Sequence, residues 1–164
     1  MTAFSQWSKK LETSNFGLSY GGKFIGDGTS EWSGRPLVFS NRGEVETIEK
    51  LVTDYNNKDV AACSEVFADG AEFLDSEGNK MILTKEFWQS IMDSFTELSW
   101  KAYSIVPLKI KNTDSESGVT VFSREKRVLA DGTVWEKELV EWFYFNKEGK
   151  ITRVTQYERS LPKD

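Results

Sequence analysis

Histidine is absent from this chain of 164 residues, and cysteine occurs once, as Cys63. The first absence excludes a Ser-His-Asp triad, a Cys-His pair and any metal site built on imidazole. The second excludes an internal disulfide and a thiolate cluster for zinc or iron–sulfur. Basic residues are outnumbered, 21 against 26 acids, and the net charge is −5. That balance offers no phosphate-neutralising footprint, so neither nucleic acid nor an anionic membrane is expected as a partner. The densest basic cluster, Arg124-Glu125-Lys126-Arg127, is broken by an acid and reads as a solvated strand face. No apolar run approaches the roughly 20 residues that span a bilayer. The N-terminus lacks an apolar signal segment, which favours a cytoplasmic protein; an exported one whose leader had been cut away reads the same.

Aromatic residues are plentiful instead, at 13% with six tryptophans, and rings in such number fill cores, pockets and dimer contacts. They are dense even in residues 1–43, which hold Phe4, Trp7, Phe16, Tyr20, Phe24, Trp32 and Phe39 beside seven of the twelve glycines. Phe4, Trp7 and Leu11 follow helical spacing, whereas Phe16, Leu18 and Tyr20 alternate like a strand. The expectation is an ordered, loop-rich arm packed over the domain or its partner, with a partly disordered leader as the alternative.

Helical patterning starts at Asn41-Arg42-Gly43-Glu44, a capping-box pattern, and continues through Val45, Ile48, Leu51, Val52 and Tyr55 to about Asn57. A short helix carrying Val60, Cys63, Val66 and Phe67 follows; on its apolar face Cys63 reads as core, not as a nucleophile. Asp69-Gly70 stops it, and a strand runs from Ala71 to Asp75. Phe73 and Asp75 share one face of that strand, with Glu72 and Leu74 on the other. A carboxylate beside a buried phenylalanine is costly unless that face lines a cavity, which makes Asp75 a candidate base. The competing reading is a turn cap, since aspartate bonds its own backbone in turns such as Asp75-Ser76-Glu77-Gly78. Thr84 is the expected cap of a third helix bearing Phe87, Trp88, Ile91, Met92 and Phe95. Strands are then expected near 99–110, 117–130, 133–146 and 150–160, with Asp131-Gly132 as a hairpin turn and Pro107 at a bulge or an edge. Helices first and an antiparallel meander afterwards make an α+β fold.

On the strand 133–146, Trp135, Lys137, Leu139, Glu141, Phe143 and Phe145 share a face. Glu141, in mid-strand among apolar and aromatic residues, is either a functional acid or half of a buried ion pair with Lys137, Arg124 or Arg153.

Two stretches, Asp59-Val60 through Phe67-Ala68-Asp69 to Phe73-Leu74-Asp75-Ser76-Glu77-Gly78, and Val140-Glu141-Trp142-Phe143-Tyr144-Phe145-Asn146-Lys147-Glu148-Gly149-Lys150-Ile151, resemble the superfamily of ketosteroid isomerase and nuclear transport factor 2, which includes SnoaL-like proteins. The resemblance covers about residues 44–160, within a domain taken as 44–164, and leaves the arm outside. It implies a cone-shaped α+β roll, with a bent antiparallel sheet wrapped around three N-terminal helices and a deep apolar pocket. It also implies a homodimer through the outer sheet face, where Val140, Trp142 and Tyr144 would point. Asp75 matches the isomerases' general base and Glu141 their protonated oxyanion donor, with no cofactor. The family's helix tyrosine matches Leu51 here, a departure that puts steroid isomerase activity in doubt; Tyr55, one turn on, is the candidate substitute. Tyr55, Phe73, Trp88, Trp100, Trp135, Leu139 and Phe143 are the expected ligand-binding residues. The function classes left open are an acid–base enzyme of the isomerase, cyclase, dehydratase or epoxide-hydrolase kind, a non-catalytic binder of a small apolar molecule, and a dimeric module with a filled pocket.

Overall fold

A computed structural model describes residues 22–26, 28–113 and 116–162. Phe4, Trp7, Leu11, Phe16, Leu18 and Tyr20, on which the arm's helical and strand spacing rests, lie outside the described residues. Among the described residues, eight strands and three helices follow in order: β1 Gly22–Lys23, β2 Pro36–Phe39, α1 Glu44–Asn56, α2 Val60–Glu65, β3 Phe67–Leu74, β4 Lys80–Ile82, α3 Lys85–Ser94, β5 Phe95–Ile110, β6 Ser117–Leu129, β7 Val134–Phe145 and β8 Ile151–Ser160. One curved sheet contains all eight strands in the order β1-β2-β5-β6-β7-β8-β3-β4. Every pairing is antiparallel except β3 with β8.

The local chemistry explains most of these boundaries. Asp59 caps α2 through the Ala62 amide at 3.0 Å, and Thr84 caps α3 through the Phe87 amide at 3.2 Å. The start of α1 is different from the expected capping box. Its cap is Gly43, held at φ +93°, a left-handed conformation only glycine adopts without strain. Asn41 makes no cap. Glu44 instead turns inward, 3% exposed, and accepts from the Ser40 hydroxyl, from Ser117 Oγ at 2.7 Å and from the Arg42 amide at 2.7 Å. Burial pushes its carboxyl up, but those hydrogen bonds outweigh it and hold the group at about 2.

The strand after α2 starts earlier than the sequence indicates, at Phe67, because Asp69-Gly70 forms a register irregularity inside β3 and not a stop before it. The arm's Pro36–Phe39 extends the sheet edge along the last residues of β5. Pro107 has its carbonyl bonded by the Ser40 amide, just past the end of β2. In a strand the amide and carbonyl of one residue point the same way, so its missing N–H falls at an edge. Of the two register irregularities in β5, the one at Tyr103 lies nearer, and the other falls at Thr96.

The core forms where α1 lays Ile48, Leu51 and Tyr55 on the concave side of the sheet, against Val119, Val121, Phe143 and Phe145. Cys63 is fully buried there, and burial pushes its thiol up to about 12, so it behaves as a small apolar residue.

Candidate functional site

The open end of the concave side holds a cavity of about 380 Å³. Its walls are built by the inner faces of six strands and by one face each of two helices. From α1 come Leu51 and Tyr55, one turn apart; from α3 come Phe87, Trp88 and Ile91; β5 contributes Trp100, and β7 contributes Trp135, Glu141 and Phe143. Val154 and Gln156 of β8 and Phe67 and Phe73 of β3 close the far side, while the turn Asp75-Ser76-Glu77 and Glu158 stand at the rim.

Trp100 is fixed by an unusual device. Among the described residues the N-terminal half of β5 has a strand neighbour on one side only, so the outward amide and carbonyl of Trp100 need other partners. The Asn56 side chain supplies both, accepting from the Trp100 amide at 2.6 Å and donating to its carbonyl at 2.8 Å. That ties the end of α1 to the sheet and sets the ring of Trp100 edge-on to Tyr55, at 5.8 Å and 81°, and stacked on Phe143 at 6.2 Å. Trp88 meets Tyr55 edge-on from α3, at 6.3 Å and 77°. The indole N–H groups of Trp88 and Trp100 are buried without an acceptor among the described residues.

Two carboxyl groups sit inside the cavity wall. Glu125 on β6 is 3% exposed and accepts from Arg127 twice, from Nε and Nη2, both at 2.8 Å; the Tyr55 hydroxyl also donates to it. The Arg127 guanidinium lies 4.4 Å over the Trp135 ring. This network corrects the reading of Arg124–Arg127 as a solvated face. Alternation puts Arg124 and Lys126 outside, where they pair with Glu136 and Glu97, and turns Glu125 and Arg127 inward. It also corrects the candidacy of Tyr55 as an oxyanion donor: burial raises its phenol, the neighbouring Glu125 charge adds to that, and its proton is committed to Glu125.

Glu141 on β7 is 5% exposed, and its two partners are neutral, Ser123 Oγ at 3.3 Å and Gln156 Nε2 at 3.2 Å. No ion pair to Lys137, Arg124 or Arg153 forms among the described residues; Lys137 pairs with Glu158 at 3.2 Å, and Arg153 lies 4.1 Å over Tyr144 on the outer side. Burial, and then the charge of Glu125, push the Glu141 carboxyl up to about 7.

Asp75 borders the cavity at its rim, where its carboxylate serves the turn. It accepts from the Glu77 amide at 2.9 Å, the Asn79 amide at 2.8 Å and Asn79 Nδ2 at 2.8 Å, and these bonds, the Asn79 side chain first, lower its pKa. A base needs the opposite shift, so of the two readings the geometry favours the turn cap. Six of the expected ligand-binding residues, Tyr55, Phe73, Trp88, Trp100, Trp135 and Phe143, line the cavity. Leu139 does not. It shares the inner face between Trp135 and Glu141 but is 2% exposed and does not reach the cavity. Glu125, Arg127 and Gln156 were missed as site residues. The signal for the first two was present in the alternation of β6, which places them on the face of Val119, Val121 and Ser123.

No protein-family model and no curated protein matches the sequence. Solved structures do match. A protein assigned as an aromatic ring hydroxylase from Novosphingobium aromaticivorans is 14% identical with a TM-score of 0.62, over 71% of this chain and 87% of that one. One assigned as a scytalone dehydratase from the same organism is 11% identical with a TM-score of 0.62, over 73% and 83%. A protein of ketosteroid isomerase-like fold from Catenulispora acidiphila, complexed with trimethylamine, is 13% identical with a TM-score of 0.55, over 71% and 86%. Others are described as NTF2-like and SnoaL-like proteins of unknown function. With its curved sheet closing over three helices, the chain has the α+β fold of the NTF2-like, SnoaL-like and ketosteroid isomerase-like proteins.

Proposed function

We propose that the protein binds a small, largely hydrophobic ligand in this cavity and that Glu141 exchanges a proton with it, without a cofactor. The observation that carries the reading is the setting of Glu141, a buried carboxyl with neutral partners in the wall of an open, aromatic-lined cavity. Its proton affinity near 7 keeps both its acid and its base form populated at neutral pH, where a general acid–base catalyst works best. The rings of Tyr55, Phe73, Trp88, Trp100, Trp135 and Phe143 exclude water and hold an apolar body. Asp75 holds the rim turn in this reading and leaves the proton transfer to Glu141. The fold admits chemistry without specifying it, as neighbours assigned as a hydroxylase and a dehydratase illustrate, and one neighbour holds a small ligand. The test is hydrogen–deuterium exchange beside the carbonyl of bound cyclic ketones, followed by NMR in D2O. The reading expects faster exchange than in buffer alone and loss of that gain in Glu141→Gln. Exchange at the buffer rate from ketones shown to bind would leave a non-catalytic binder.

The outer face of the sheet supports a second copy of this chain as partner. Phe122, Trp142 and Tyr157 are 44%, 44% and 55% exposed on adjacent strands, and Tyr103 is exposed beside them at the β5 bulge. The row bordering them mixes signs, with Lys101 and Arg124 beside an internally paired Glu138 and Arg159. With Glu138 on Arg159 and Arg124 on Glu136, Lys101 is the charge of that row without an ion pair among the described residues, so two such faces set little charge against itself.

A further inference from the structure

Charge in the cavity wall is one-sided. Among the described residues, Asp75, Glu77, Glu125, Glu141 and Glu158 line it against one cation, Arg127. That cation is committed: the Nε–Nη2 edge of its guanidinium donates twice to Glu125, and its face covers Trp135. Glu158 is paired with Lys137, and Asp75 serves its turn. Glu141 is the buried acid that forms no ion pair among the described residues; the charge of Arg127 reaches it but counts for less than burial and the charge of Glu125.

Each of these features selects for the same ligand charge. A rim rich in acid concentrates cations at the mouth and repels anions. Ring walls attract a cation through their negative faces, most strongly where water is excluded. Trp100 stacks on Phe143, two residues along β7 from Glu141 and on its face, so such rings stand beside the acid. A buried carboxylate whose partners are neutral gains most from a counter-charge brought by the ligand, whereas a neutral ligand leaves its desolvation largely unrelieved and an anion worsens it.

We infer that the natural ligand is an organic cation, an apolar molecule carrying an amine or quaternary ammonium whose positive centre sits against Glu141. This rests on the reading of the cavity as a binding site for a small hydrophobic molecule. The groups that set the charge around Glu141 are Glu125 and Arg127 from β6, Lys137 on its own strand, Glu158 from β8, Tyr55 from α1, and Asp75 and Glu77 from the rim turn. With the acid ionised, the cation is held; with it protonated, much of that hold is lost.

The test uses benzyltrimethylammonium and its neutral isostere neopentylbenzene, titrated calorimetrically into the full chain at pH 5.5 and pH 8.5. The quaternary ammonium has no proton to lose, so any pH effect on its preference belongs to the protein. At pH 8.5 the cation binds about tenfold or more tighter than the isostere, and the preference shrinks at pH 5.5. In Glu141→Gln, with the fold checked by near-UV circular dichroism, the pH effect disappears. Equal affinities, or tighter binding of neopentylbenzene at both pH values, overturn the inference and leave the cavity a neutral-ligand site. A pH effect that survives in Glu141→Gln removes Glu141 as the anchor. Failure of both probes to bind overturns the binding reading itself.

Discussion

Glu141 and Glu44 are both nearly buried glutamates, yet their surroundings move them in opposite directions. Glu44 is encircled by donors and sits at about 2, so it stabilises the fold above the ordinary carboxylate value of 4.5, and that contribution is lost as pH falls toward 2. Glu141 sits at about 7, so between 4.5 and 7 the folded chain binds more protons than the unfolded one. Stability therefore falls as pH rises through that window, by about 3 kcal/mol when complete. Urea titrations at pH 5 and pH 8 should show Glu141→Gln removing most of this loss and raising stability at pH 8. Glu44→Gln should destabilise at pH 7 by about 2 kcal/mol, since it removes a charged acceptor from several donors. The anomaly of Glu141 was legible in the sequence, because a charged residue among apolar neighbours in mid-strand needs a reason. The use of Glu44 was not: in sequence it resembled the closing acid of a capping box, and only the left-handed Gly43 turns it inward. Asp75 was ambiguous for a physical reason, since one residue type suits both a turn cap and a base, and the Asn79 side chain decides between them.

At the level of elements, the strand β6 stakes most on one interaction. Removing Arg127 strands Glu125 in the wall, and breaking such a pair costs about 3–5 kcal/mol. Arg127→Met should therefore lower the urea midpoint strongly, and adding Glu125→Gln should recover much of the loss, the signature of a coupled pair in a double-mutant cycle. Equal and additive losses would instead mean that Arg127 acts only through packing over Trp135. The helices and the long strands were readable from their apolar periods, and the caps Asp59 and Thr84 from residue type. The inward pair Glu125 and Arg127 was hidden because a cluster rich in charge resembles a solvated face; only the register of β6 against β5 and β7 shows which half of it is turned in. The bond of Asn56 to Trp100 spans 44 residues and leaves no local trace.

For the whole molecule, one sheet presents two aromatic surfaces of different kind. The inner one surrounds a cavity, and the outer one is an exposed patch of the sort that marks a contact. If the outer patch joins two copies, sedimentation analysis should give a dimer in the native chain and a monomer in Trp142→Glu, with the pH-dependent stability of Glu141 unchanged. A monomer in both would remove the outer face as a self-association surface. The broad architecture followed from element order, helices before a meander, while the edge strands β1, β2 and β4 are too short to have a period of their own. Proton exchange and charge selection in the cavity both depend on the protonation of a single buried carboxyl. Infrared difference spectroscopy of the carboxylic acid C=O stretch, with Glu141→Gln to assign the band, reads it directly. The expected result is a protonated Glu141 band at pH 6 that fades with a midpoint near pH 7. A Glu141 already ionised at pH 6 would contradict the account, because the cavity would then hold a fixed charge and no proton to exchange.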